Sequence, residues 1–211
     1  MTHPHETETK LKVDSHQAVR AALESMGTAP GPTFLQTDTY YDREGRQLFH
    51  AGCGLRLRTF KWLDGPGQGE DRRPLLTFKG PVDPDSRIKR RREIQTHCES
   101  SEAMAGILEA LDVQPVMVIQ KRRTSWAVGE CQVELDELPN LGTFVEIEGP
   151  GESAVEELAE KLGLGDVPHI EKSYLQLAHD NCRRHDGPCE EFTFENCHGC
   201  DNARTNEHDA T

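Results

Sequence analysis

Long apolar runs are missing from this 211-residue chain. No stretch approaches the roughly 20 residues that a membrane-spanning helix needs. The opening MTHPHETETK also has no hydrophobic segment of the kind that leads a secreted protein. Aromatic residues make up 6%, hydrophobic residues 35%, and mean hydropathy is −0.70, so any core must be built economically. Basic residues are in deficit: 24 Lys and Arg against 37 Asp and Glu give a formal net charge of −13. Nucleic acid and anionic membranes both select a basic footprint, so neither is an expected partner. The expectation is a soluble, cytoplasmic protein.

Cysteine is present but uneven. Cys53, Cys98 and Cys131 fall in segments that read as strands and suit reduced thiols, whereas Cys182, Cys189, Cys197 and Cys200 crowd the polar end. Strong periodicity stops near residue 180. The reading is therefore one domain over 1–180 and a Cys- and His-bearing polar tail over 181–211. Four thiolates, including the CxxC of Cys197 and Cys200, are enough for a structural zinc site. The six-residue gap between Cys182 and Cys189 is wider than zinc modules favour, so a disordered tail with reactive thiols stays open as the alternative.

Apolar spacing predicts amphipathic helices over about 15–26, 101–111 and 153–162, and a short one around Tyr174, Leu175 and Ala178. The first is stopped by Gly27, the second is seated by Met104, Ile107, Leu108 and Leu111, and the third is opened by a Ser153–Glu156 capping box. Strands are predicted at roughly 5–13, 34–42, 54–62, 74–80, 87–97, 115–127, 130–137 and 143–149, with a hairpin at Gly129. Eight strands with short links and outlying helices imply an α+β fold, mainly antiparallel β, closed into a barrel.

The strands alternate in an unusual way. Residues at i and i+2 share a face. One face carries Glu6, Glu8, Lys10 and Lys12; others carry Arg56 with Arg58, Arg91 with Glu93, Lys121 with Arg123, Glu134 with Asp136, and Glu146 with Glu148. The opposite faces carry Leu11 and Val13, Leu55 and Leu57, Val133 and Leu135, and Val145 and Ile147. Any one strand could simply be solvated on its charged side. Taken together, though, amphipathic helices need an apolar surface to lie on, and these charged faces are dominated by one sign or set carboxylates beside cations. An inside-out barrel, charged within and covered by helices outside, satisfies both conditions. Such an interior must be wet and neutralised by ligands, because burying unpaired charge is prohibitive. A polyanion would meet the Lys and Arg and a divalent cation the Glu and Asp, which is the specification of a triphosphate with Mg²⁺ or Mn²⁺.

The same residues resemble a known family. Glu6-Thr7-Glu8-Thr9-Lys10 is similar to the ExExK strand that opens CYTH-domain proteins, the triphosphate tunnel metalloenzymes. The likeness continues in family order through Asp38–Asp42, Leu55–Arg58, Leu76–Pro81, Arg91–Glu93, Ile119–Arg123, Val133–Asp136, Leu141–Glu148 and Glu171–Leu175, and its wording is nearest the class IV adenylyl cyclase (CyaB-like) branch.

The resemblance implies an eight-stranded tunnel that holds a triphosphate. It places metal on Glu6, Glu8, Glu146 and Glu148, with Asp136 as helper. Phosphates fall to Lys10, Arg56, Arg58, Lys79, Arg91, Lys121 and Arg123, with Lys172 as a further candidate from the C-terminal helix. The family's R-x-E spacing favours Arg91 over Arg90 or Arg92, and Gln95 stands where Glu is preferred. Glu6, Glu8, Lys10, Asp136, Glu146 and Glu148 are the implied catalytic set, with Mg²⁺ or Mn²⁺ as cofactor. Implied activities are conversion of ATP to cyclic AMP and pyrophosphate, or hydrolysis of inorganic, nucleoside or thiamine triphosphate. A non-catalytic polyphosphate sensor is the minor alternative, and a homodimer is left open. Trp62 and Trp126 read as packing residues, and Asp38 and Asp42 as partners that orient the arginines.

Overall fold

The computed structural model describes residues 5–66, 72–85, 89–184 and 191–195, with the side chains of His5, Glu6, Arg183 and Arg184 left out. Eight antiparallel strands form the body: β1 (His5–Val13), β2 (Pro30–Asp42), β3 (Gly54–Asp64), β4 (Leu75–Val82), β5 (Lys89–His97), β6 (Gln114–Val128), β7 (Cys131–Leu138) and β8 (Gly142–Gly149). They pair in the order β2-β3-β4-β5-β1-β8-β7-β6, and β2 pairs with β6 to close the barrel. The helices are α1 (Gln17–Ser25), α2 (Gln47–His50), α3 (Ser101–Ala110), α4 (Glu152–Lys161) and α5 (Tyr174–Arg184).

The barrel is inside-out. Leu11, Val133, Leu135, Val145 and Ile147, on the outward faces of β1, β7 and β8, are fully buried against Val19 and Leu23 of α1 and Val155 and Leu158 of α4. A second outer cluster joins Tyr41 and Leu57 to Leu108 of α3. Hydrophobic burial thus holds helices onto the outside, and the strand interiors are left to the charged residues. Ile147→Ala should lower unfolding free energy by about 2–5 kcal/mol, the cost of an unfilled methylene cavity. Denaturant titration checks this; a loss under about 0.5 kcal/mol would show that the outer face is not the core.

Local chemistry explains most boundaries. Gly27 ends α1 at φ 76°, and Gly129 takes φ 59° in the two-residue turn between β6 and β7. Four expectations need correction. α4 begins at Glu152 with Gly151 as its N-cap, so Ser153 lies inside the helix and forms no capping box. Ile107 and Leu111 are exposed, and α3 is seated by Leu108 with Met104 instead. β2 starts at Pro30, inside a stretch rich in Gly and Pro that reads as a loop. Finally, the polar segment after Asn181 is partly built into the fold. α5 runs to Arg184, and a two-residue strand, β9 (Glu191–Phe192), pairs in parallel with Val118 and Ile119 of β6.

β9 docks through its side chains as well. Phe192 is buried with Met117, Ile119, Phe144 and Tyr174, and the Phe194 ring lies 4.1 Å from the Arg122 guanidinium. Cys189, Cys197 and Cys200 lie outside the described residues. Cys182 is disulfide-bonded and so cannot serve as one of four thiolate ligands to zinc. Among the described residues no helix is long and apolar enough to cross a membrane.

Candidate functional site

Inward phase on all eight strands makes one cavity of about 270 Å³. Eight cationic side chains (Lys10, Arg56, Arg58, Arg72, Lys79, Arg91, Lys121 and Arg123) line it against five carboxylates, Glu8, Glu93, Glu134, Glu146 and Glu148. This excess of positive charge is the reverse of the chain's overall acidity, and apart from Arg72, which precedes β4, it comes from strand phase.

Strand order sorts the charges. β1, β8 and β7 are consecutive, so Glu8 faces Glu148 across one ladder and Glu134 faces Glu146 across the next. They form an acidic wall. The basic wall comes from the remaining strands: Arg56 and Arg58 on β3, Lys79 on β4, Arg91 on β5, and Lys121 and Arg123 on β6.

Two buried aspartates hold the basic wall in shape. Asp38 accepts from Arg58 Nε at 2.5 Å and from its terminal nitrogen at 2.8 Å, and it lies 3.6 Å from Arg56. Asp136, 0% exposed, accepts from Arg123 Nε at 2.5 Å, from Lys121 at 3.3 Å and from the Tyr174 hydroxyl at 2.8 Å. Burial alone would raise both carboxyls, but the adjacent cations (Arg58 for Asp38, Arg123 for Asp136) hold them below the usual range. Asp136 therefore has no free face toward the cavity. In this structure its oxygens serve to position cations.

The other expected residues divide cleanly. Glu146 bridges Lys10 at 3.1 Å and also binds Arg123; despite its burial these cations keep it well below the ordinary carboxylate range. Glu8 pairs with Lys89, and Arg91 approaches it to 3.9 Å. Burial opposes its ionisation, yet Lys89 above all keeps it strongly ionised. Lys79 sits 2.6 Å from Glu93, to which Gln95 also donates. Arg91 points into the cavity while Arg90 and Arg92 are exposed, which resolves the run of three arginines. Lys172 is absent from the cavity wall. Its ammonium binds Asp180 at 2.6 Å on the exterior, and only its carbonyl reaches inward, to Lys10. The side chain of Glu6 lies outside the described residues, although its backbone pairs with Arg91. Asp42 accepts from the backbone N–H groups of Arg43, Leu48 and Phe49, shaping the α2 turn and orienting no arginine. Trp126 packs in the outer core.

Two members stand outside the expected site residues. Lys89 is buried on the inward phase of β5, and desolvation pushes its ammonium down to about 8 even with Glu8 beside it. Tyr174 lines the cavity from α5, with Lys10 4.1 Å and Lys121 4.9 Å from its ring centroid. Strand alternation does set Lys89 on the charged face of Arg91 and Glu93, without marking it as a partner of Glu8. Tyr174 falls in the Glu171–Leu175 segment and a predicted helix, but its place against Lys10 and Lys121 is set by the tertiary fold.

The donor set also bears on a divalent ion. Glu148 has no hydrogen bond or ion pair among the described residues. Desolvation and then its neighbours Glu8, Glu93 and Glu134 push its carboxyl upward. A cation between Glu8 and Glu148 would relieve that repulsion. Among the described residues no three acidic, His or Cys side chains converge to hold an ion unaided.

The site is thus the interior of a closed antiparallel barrel, apolar outside and lined within by facing acidic and basic walls. The chain belongs to the CYTH domain family, whose profile matches residues 4–174. It is similar to a candidate adenylate cyclase of Methanocaldococcus jannaschii, with 28% identity over 181 residues, covering 82% of this chain and 97% of the relative. Among solved structures, a Pyrococcus horikoshii protein superposes with TM-score 0.68 at 25% identity, covering 83% of this chain and 99% of its own. A Hippeastrum protein, described as an adenylyl cyclase candidate with dominant triphosphatase activity, shares the fold with TM-score 0.61 at 16% identity, covering 84% and 95%.

Proposed function

We propose that this chain is a divalent-metal-dependent enzyme acting on triphosphates inside the barrel, and that its reaction is conversion of ATP to cyclic AMP and pyrophosphate. The observation that carries the first part is the pair of facing walls: Glu8 and Glu148 on one side, and Arg56, Arg58, Lys79, Arg91, Lys121 and Arg123 on the other. The full-length likeness to the archaeal relative supports the second part.

The basic wall would stretch the triphosphate along the cavity, and Asp38 and Asp136 keep its guanidinium groups aimed without side-chain rearrangement. Arg91 is suited to a phosphate oxygen because its buried Nε has no hydrogen-bond partner among the described residues. Glu8 and Glu148 would hold the ion with Glu6 from the same strand phase, while Glu146 chiefly orients Lys10 and Arg123. When bound, a divalent ion supplies charge neutralisation and lowers the pKa of an attacking hydroxyl. In cyclisation the ribose 3′-oxygen forms a bond to the α-phosphorus, its proton leaves to the acidic wall, and the bond to the departing pyrophosphate breaks. The charge gathering on pyrophosphate meets the arginines and lysines.

Hydrolysis is the second reading, because the same shell serves water attacking the terminal phosphorus and nothing in it is exclusive to cyclisation. One incubation series with Mg²⁺ or Mn²⁺ decides between them. ATP, inorganic triphosphate and thiamine triphosphate are offered and products are separated by chromatography. Cyclic AMP with pyrophosphate is the expected outcome. Orthophosphate without cyclic nucleotide replaces it with a triphosphatase, and tight binding without product leaves a sensor.

A further inference from the structure

The ionic walls account for a triphosphate but not for a mouth whose lining sets uncharged side chains beside Arg72. There the N-terminal half of β2 and the end of β3 bring Gln36 and Phe60 together as direct cross-strand partners, with Leu75 and Gln95 on the neighbouring strands. Phe60 lines the cavity with Phe34 edge-on behind it, ring centroids 5.9 Å apart at 79°. The Arg72 guanidinium lies 4.3 Å from the Phe34 centroid and 5.8 Å from that of Phe60, so an aromatic pair and a planar cation frame the opening.

Gln36 is the informative member. It is 4% exposed and lines the cavity, and its Oε1 is buried with no hydrogen-bond partner among the described residues. A buried acceptor left unsatisfied is costly. Inorganic triphosphate cannot satisfy it, because ionised phosphate oxygens only accept. The orphan oxygen calls for an N–H donor, and an amide beside an aromatic face suits a ring carrying an exocyclic amino group.

We propose that this mouth is the binding site for the amino-bearing heterocycle of a triphosphate ester, its ring stacked at Phe60 and Arg72 and its amino group donating to Gln36 Oε1. The inference rests on the reading that the cavity holds a triphosphate, and it adds that the preferred substrate is an ester such as ATP and not the bare inorganic chain.

The test is equilibrium binding by titration calorimetry in EDTA, so that no turnover intervenes, with ATP, UTP, thiamine triphosphate and inorganic triphosphate as probes. The full chain should bind ATP roughly tenfold more tightly than UTP or inorganic triphosphate. Phe60→Ala and Gln36→Leu should each weaken ATP about tenfold while leaving inorganic triphosphate within about twofold. Gln36→Leu should not lower the melting temperature, since it removes an unsatisfied acceptor. Thiamine triphosphate binding more tightly than ATP, with the same response to both variants, supports the site and names a different aminated ring. Equal affinity for all four probes, or equal weakening of ATP and inorganic triphosphate, overturns it. Failure of every probe to bind overturns the triphosphate reading along with it.

Discussion

Glu148→Gln is expected to reduce turnover by about 10³-fold, the upper end of what removal of one preorganised electrostatic group costs, while the barrel stays folded. The carboxylate has no hydrogen-bond or ion-pair partner to lose among the described residues and sits among Glu8, Glu93 and Glu134. Its raised pKa also fixes the sign of a stability effect. The folded state favours the protonated carboxyl, so the stabilising contribution is present at low pH and is lost as pH rises through the folded pKa. Parent and Glu148→Gln should therefore melt alike at low pH. Above that range the neutral variant should melt at the same temperature or slightly higher. Kinetics with Mg²⁺ or Mn²⁺ and melting curves at several pH values check both arms. Near-parental turnover would remove Glu148 from the metal set.

Asp136→Ala is expected to behave in the opposite way, losing about 3–5 kcal/mol of stability as well as activity. Its oxygens serve Arg123, Lys121 and Tyr174, and it is wholly buried. Removing it leaves two buried cations short of a partner and frees the Tyr174 hydroxyl. Asp136→Asn, which keeps the shape and part of the hydrogen bonding, should recover some stability but little activity, because the guanidinium would no longer be held by a charge. Chemical denaturation of both variants, with circular dichroism to confirm folding, makes the comparison. If Asp136→Ala were as stable as the parent while inactive, Asp136 would be acting on the reaction itself and its role as a positioning residue would be wrong.

These two carboxylates look alike in sequence. Each sits on a charged strand face, two residues from another acid: Glu146 before Glu148 and Glu134 before Asp136. The cross-barrel environment separates them, since Glu148 lines the cavity while Asp136 is wholly buried behind Arg123 and Tyr174. Lys172 shows the same limit. Its position beside Ser173 and Tyr174 is local, but its turn outward to Asp180 depends on how α5 starts.

The sequence by itself determined the inside-out barrel and most of its charged lining. Period-two alternation is a property of consecutive residues, so Arg56 with Arg58, Lys121 with Arg123, and Glu146 with Glu148 could be assigned to one face before any pairing was known. The tertiary structure alone decided which of those charges face the cavity freely and which are spent on each other. It also decided that β9 extends the sheet, that Tyr174 joins the cavity wall through Asp136, and that Gln36 is left without a donor beside Phe60. Those outcomes depend on neighbours many residues apart in the chain, which only the folded barrel brings within hydrogen-bonding distance or leaves outside it.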